Sequence, residues 1–409
     1  MNKEFPRLLV AAEFPPNSSG GGAAVLRQML KEWPVEKLFW WSCFPDLTKS
    51  FNQKVAAHTS ANIPPKWFPN RRLRLIKIFL MERIWAPWAA RHLRKTLRRF
   101  EPDVIWAVPH SWAIGPLAAT LPQSGIGFHV TMQDYLDINN RVRILGKERS
   151  SRLAAMAAML YTQAKTRDAT SDSMLDDLRA RTGYGGSQML HAGLEPSDFS
   201  YLETKSNADL PSELRIAYAG TVVVERDFAI FVEALTKVRN RLPVPVKLVM
   251  FGTHSYRTRP WFDPSWIREV GDLAEPKFSE TLRECVWGFA PMSLVNDDFR
   301  YNRFSFPTKF ISYLAAGLPV ITLGHRESSV IKMARAYRVG VCITSDNCDA
   351  LESKIMETLS IKYPWTEFGT EIIRCGREKF DAVKMRKRLY ECFFACAAKT
   401  KQPSNEESF

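Results

Sequence analysis

No two cysteines stand in C-x-x-C spacing, although the 409 residues include seven, at 43, 285, 342, 348, 375, 392 and 396. An odd number without such a pair argues against a disulfide framework or a zinc site and for reduced thiols. Cys392 and Cys396 are spaced to share a helix face, where they read as small core residues. Also missing is any uninterrupted apolar run of the ~18 residues that a spanning helix needs. The most apolar helical stretch, Leu153 to Tyr161, is too short. Met1 to Glu4 lead directly into Phe5-Pro6 and an apolar run, so no secretory leader is expected. Acidic residues are in deficit, 43 Asp and Glu against 57 Lys and Arg, giving a formal net charge of +14. That balance implies an acidic partner or surface. On charge alone, nucleic acid, anionic lipid and phosphorylated substrates all stay open. The expectation is a cytoplasmic protein, either free or peripheral on the cytoplasmic face of a membrane.

What is present is alternation. Arg7 to Glu13 is an apolar run that breaks at Phe14-Pro15-Pro16 and passes through Asn17 to Gly22. A helix follows from about Ala23, with Val25, Leu26, Met29, Leu30 and Trp33 at helical spacing. Leu38–Cys43, Asp103–Val108 and Ile126–Met132 read as strands, separated by helical patterns at Arg72–Arg99 and Ala113–Leu121. A polar stretch, Glu195 to Glu213, reads as a linker. The alternation then restarts with strand Leu214–Ala219, helix Asp227 to about Leu242, and strand Val246–Phe251. Helix Lys277–Glu284 and strands Val286–Ala290 and Gly340–Ile343 complete it. Strand-helix alternation of this kind favours parallel sheets covered by helices.

The most informative stretch is Arg303 to Ile321. It reads as a short helix delivered into a buried strand, with Pro307 in the first turn, Gly317 as the stop and Pro319 preventing continuation. Free N–H groups at that helix start, Thr308 and Lys309 beside them, make an anion pocket.

These segments together resemble the retaining GT-B glycosyltransferases of family 4, and the resemblance covers nearly the whole chain. It is carried by "FPTKFISYLAAGLPVI" (306–321), "HAGLEPSDF" (191–199), "IAYAGTVVVERDF" (216–228), "VKLVMFG" (246–252) and "REKFDAVKMRKRLY" (377–390). It implies an α/β chain of two Rossmann-like domains facing across a cleft. Residues 1–200 would form the acceptor-side domain and 201–379 the nucleotide-sugar domain. Residues 380–398 would form a helix crossing back to the first domain, and 399–409 a disordered tail. The implied activity is transfer of a sugar, with retention and without a required metal or other cofactor, from a UDP- or GDP-sugar to a cell-surface glycan or lipid-linked acceptor.

A departing nucleotide diphosphate must then be met by fixed dipoles and cations. The resemblance points to Gly20, Gly21 and Gly22, to Arg226, and to the helix start at Thr308 and Lys309. Asp227 stands where the family has a glycine after its basic residue. The family's two glutamates would fall on Phe304 and Ser312, neither of them acidic; Ser312 retains one hydroxyl for a ribose, and Glu327 is the candidate to compensate. "HVTMQDY" (129–135) resembles the strand end facing the donor sugar, which nominates Gln133 and Asp134 as catalytic candidates. His110 joins them because it follows a strand's C-terminal end, where clefts form in open α/β sheets.

Between Lys66 and Arg99 stand eleven Lys and Arg with Glu82 the only acid, interleaved with Trp67, Phe68, Ile76, Phe79, Leu80, Ile84, Trp85 and Trp88. Basic residues mixed with Trp and Phe suit an anionic membrane surface. No nucleic-acid motif accompanies them. The missing glutamates motivate an alternative, a catalytically silent module that binds glycan or membrane within a biosynthetic complex. A nicotinamide dehydrogenase is disfavoured because the dinucleotide glycine fingerprint is absent.

Overall fold

A computed structural model of the chain describes residues 4–17, 21–46, 57–67, 73–135, 144–206, 212–295 and 299–398. Gly20, Phe68, Arg71, Arg72 and the tail 399–409 lie outside these residues. The chain divides into two units, Met1–His191 with Lys384–Phe409, and Ala192–Val383.

In the first unit the apolar run Leu8–Ala11 becomes β1, the fully buried centre of a six-stranded sheet. Around it stand β2 (Leu38–Ser42), β3 (Ala57–Ser60), β4 (Val104–Ala107), β5 (Phe128–Met132) and β6 (Thr166–Ala169). The order is β3-β2-β1-β4-β5-β6 and every pairing is parallel. A central parallel strand is covered on both faces, which is why β1 and β4 read as continuous apolar runs. The edge strands β3 and β6, with sequences AHTS and TRDA, lack that signature and were not expected.

The basic segment forms helix Arg74–Leu80, a π-type turn Met81–Trp85 and helix Ala86–Phe100, rather than one regular helix. Its inner face is Ile78, Met81, Trp85, Ala89, Ala90, Leu93 and Leu97. The expected helix at 113–121 shortens to Ile114–Ala118, flanked by 3-10 turns.

The last helix, Ala382–Ala397, packs on this unit through its aromatic residues. Trp33 meets Tyr390 at 4.9 Å and Phe393 at 5.5 Å, and Phe393 stands edge-on to His129 at 5.6 Å. The buried Arg386 guanidinium donates to the Gln28 carbonyl at 2.9 Å and pairs with Glu32 at 3.0 Å. A Cβ added at Gly127 would fall 2.2 Å from the Cys396 carbonyl oxygen, so only glycine lets the helix approach there. Cys392 and Cys396 are buried and unbridged, as their spacing suggested.

The second unit repeats the plan with β7 (Leu214–Ala219), β8 (Val246–Phe251), β9 (Ile267–Gly271), β10 (Trp287–Pro291), β11 (Val320–Leu323) and β12 (Gly340–Ile343). Its order is β12-β11-β10-β7-β8-β9, again all parallel. Part of the supposed linker belongs to this unit as helix Pro196–Thr204, started by a reciprocal Glu195–Asp198 capping box. Beyond it, Lys205 donates to the carbonyls of Gly317 (2.8 Å) and Ala316 (3.3 Å), at the negative end of helix Thr308–Ala315. That helix begins one residue later than expected: Pro307 flanks it with extended backbone. Gly317, with φ +66°, takes the left-handed stop and the chain enters β11.

Candidate functional site

In each sheet the strand order reverses once, between β1 and β4 in the first unit and between β7 and β10 in the second. Ligands of open parallel sheets bind beyond the strand C-termini at such reversals. The expected site residues cluster at both.

In the first unit, β1, β4 and β5 each run out into a polar side chain: Glu13, His110 and Asp134. His110 Nδ1 lies 2.6 Å from a Glu13 carboxylate oxygen and Nε2 lies 3.4 Å from Asp134. Burial alone would push the imidazole down. The hydrogen bonds to Asp134 and Glu13, with the charges of both acids, override it and raise the pKa to about 9. At neutral pH His110 is therefore an imidazolium donating from both nitrogens, which leaves it no lone pair for general-base work. Glu13 is nearly buried and also lies 3.4 Å from the Trp112 backbone N–H; Asp134 keeps 43% of its side chain exposed. The trio carries a net negative charge with Asp134 as its open end. Glu13 was not singled out from the sequence. The signal was present, since it stands two residues beyond the last residue of β1.

Gly21 and Gly22 open helix Gly21–Met29, directly after β1. A Cβ on Gly22 would lie 2.7 Å from Gln133 Oε1 and 3.0 Å from the Phe14 ring. The glycine loop and Gln133 are thus in contact, and the absent side chain is what allows it. The Gln133 backbone carbonyl accepts from Thr170 Oγ1 at 3.0 Å, which ties the end of β5 to the end of β6.

In the second unit, helix Thr308–Ala315 lays one face against the end of β7. Lys309 Nζ sits 3.8 Å from the centre of the Tyr218 ring. Four residues on, the Tyr313 hydroxyl accepts from the Ala219 N–H at 2.9 Å and donates to the Phe289 carbonyl at 3.1 Å. Desolvation of the Lys309 ammonium lowers its pKa to about 7. Thr308 and Ser312, one turn apart, share the neighbouring, half-exposed face.

Arg226 lies in the first turn of helix Glu225–Arg239, which follows β7. It is more than half exposed, 3.4 Å from Asp346 and 3.6 Å from Asp227. Asp227, which replaces the expected glycine, is buried beside Ser293 and Leu294 just past β10, and burial pushes its pKa up. It ties the helix carrying Arg226 to the neighbouring strand end, a role the sequence did not reveal.

Neither Phe304 nor Ser312, the positions to which the resemblance assigns glutamates, is acidic, and Glu327 was the candidate to compensate. Phe304, where a carboxylate was anticipated, is 1% exposed and closes helix Phe299–Phe304 as a core residue. Glu327 is paired with Lys332 at 2.8 Å, ahead of helix Ser329–Tyr337, and that pairing holds its pKa down. Among the described residues no group of three or more His, Cys, Asp or Glu is arranged to hold a metal ion.

Two units of this strand order in one chain, each with polar residues gathered at its reversal, define the class: the fold is that of the GT-B glycosyltransferases. Among solved structures, Anabaena HepE in complex with UDP and glucose aligns with a TM-score of 0.65 at 12% identity, over 95% of this chain and 99% of that one. Sucrose-phosphate synthase from Thermosynechococcus elongatus aligns at 0.68 and 13% identity, over 96% and 100%. WaaG, a glycosyltransferase involved in lipopolysaccharide biosynthesis, aligns at 0.61 and 12% identity, over 94% and 99%. No protein-family model and no curated protein sequence matches the chain.

Proposed function

We propose that the chain is a glycosyltransferase that takes a sugar from a nucleotide-diphosphate sugar, a UDP- or GDP-sugar, and passes it with retention to a glycan or lipid-linked acceptor. The observation that carries this is the desolvated Lys309 ammonium at a helix start beside the sheet reversal. A cation kept partly neutral by burial gains most when a diphosphate arrives, because the ligand supplies the counter-charge that the site lacks. Arg226 and the open amides of Thr308 and Lys309 are the further groups that would receive phosphate oxygens. Ser312 would offer its hydroxyl to a ribose hydroxyl. In the first unit, taken by itself, Asp134, held by His110, is the candidate catalytic carboxylate. In this account the leaving group's charge is met by side chains and amides, without a resident metal. HepE, of the same fold, holds UDP and glucose, which supports a nucleotide-sugar donor.

The test is calorimetry with a panel of UDP-, GDP- and CDP-sugars, followed by transfer or hydrolysis assays and NMR of the product anomer. Lys309→Ala should lower turnover by about 10²–10³-fold, the usual cost of one contact to developing negative charge. In titrations above pH 7, wild-type binding should take up a proton as Lys309 recharges, and the variant should not. Absence of any nucleotide-sugar binding would end the proposal. The buried Phe304 favours a second reading, a catalytically silent module. Binding without donor consumption, for any acceptor tried, would select it.

A further inference from the structure

The outer face of the segment 73–100 changes along its length, from large apolar side chains with the exposed Arg74 and Arg83 among them to basic side chains alone. Toward its start, Leu73, Leu75, Ile76, Phe79, Ile84 and Trp88 are each 45–66% exposed. From residue 91 onward the exposed positions are Arg91, Arg94, Lys95, Arg98 and Arg99, every one basic. Exposed apolar side chains of this size in one patch mark an interaction site. The only acid, Glu82, is paired with Arg152 (2.8 Å) and Arg149 (3.5 Å) of helix Lys147–Gln163, so the neighbouring helix adds more positive charge beside the apolar end.

We infer that this face is a docking surface for an anionic lipid bilayer, with the apolar end inserted and the basic end lying on the headgroups. Charge complementarity selects that occupant. A soluble protein partner would need acids to match five consecutive exposed cations, whereas an anionic leaflet presents them everywhere. Among the described residues no helix is long and apolar enough to cross a membrane, so contact would be interfacial.

Direction along the helix matters. The Phe100 ring packs tilted against Phe39, centroids 4.9 Å apart, in the first half of β2, and His92 Nδ1 accepts from the Trp41 indole at 3.0 Å further along that strand. Moving back along the helix therefore moves toward the strand C-termini. At Ala86 it reaches Gly115, in the helix that follows His110; a Cβ there would lie 3.6 Å from that of Ala86. The apolar end thus sits at the same end of the first unit as Glu13, His110 and Asp134. Docking stands independently of the transfer reaction, but it would bring that trio to the lipid surface.

Flotation of the full chain with phosphatidylglycerol-containing and pure phosphatidylcholine vesicles tests this at about 0.05 M and 0.5 M salt. Binding is expected only to anionic vesicles and mainly at low salt. Substituting Arg94→Ser, Lys95→Ser and Arg98→Ser together should weaken it on the order of a hundredfold, from about fivefold per cation near an anionic surface. Ile76→Ser, Phe79→Ser and Ile84→Ser together should weaken it about tenfold or more through lost apolar insertion. All six positions are exposed, so unchanged thermal melts should confirm that both variants fold. Equal binding to neutral vesicles, no binding at all, or no effect of the apolar triple would overturn the inference. So would a dimer abolished by the apolar triple, which would assign the face to a second copy, or tighter binding to nucleic acid.

Discussion

His110 is the residue whose charge state the fold controls most directly. Its ordinary pKa is about 6.5, and Glu13 and Asp134 outweigh burial to bring it to about 9. A raised histidine pKa stabilises the folded state fully below the unfolded value, and that stability is lost as pH rises through the folded value. Buried His129, 3.0 Å from Asp168, is raised to about 9 in the same way and adds to the same window. Urea unfolding should therefore give falling stability between about pH 6.5 and pH 9. His110→Gln should be less stable than wild type at the acid end and show a shallower slope; an unchanged slope would remove His110 from the account. The sequence nominated His110 and Lys309 by their places after a strand and at a helix start, and Asp134 through the resemblance of its strand end. It did not reveal Glu13, Asp227 or Tyr218, because their roles depend on which strand ends become neighbours. That is set by sheet order, not by local pattern. Phe304 shows the converse: its burial answers why no acid stands there, which a motif alignment could only register as a gap.

At the scale of elements, central strands were legible, while three of the four edge strands, β3, β6 and β9, were not; only β12 was read at its place. β1 and β4 bury every residue and carry matching apolar runs, whereas β3 is only half-buried and β6 spends two of its four positions on Arg167 and Asp168. Helix ends with chemical punctuation were found more easily than those without. Gly317 marked one stop; the interruption at Met81–Trp85 had no glycine or proline within it to announce it. The contact between Gly127 and the last helix gives a sharp test. Gly127→Ala would drive a methyl into the Cys396 backbone carbonyl, 2.2 Å from the ideal Cβ position. Overpacking of this kind costs about 1–3 kcal/mol and sometimes more. The expected outcome is a lower Tm with faster hydrogen exchange in 382–397, while amides of β7 to β12 keep their protection.

At the scale of the whole molecule, the first unit is not contiguous in sequence, since it needs both 1–191 and 384–409. A chain ending at Asp381 should lose the partners of Trp33, Gln28 and Glu32 supplied by Tyr390, Phe393 and Arg386. Proteolysis should then cut the first unit readily and spare 192–381; equal resistance of both would show that the last helix is dispensable. The same arrangement has a consequence during synthesis. Once His191 has left the ribosome, about 190 further residues must be made before the closing helix exists, roughly 10–40 s at elongation rates of about 5–20 residues per second. Throughout that interval Phe5 and Trp33 stay without Tyr390, Phe393 and Phe394, the rings that pack on them in the finished protein, while a complete second unit can fold behind them. The first half is begun first and finished last, which makes that aromatic surface a natural place for a chaperone to wait.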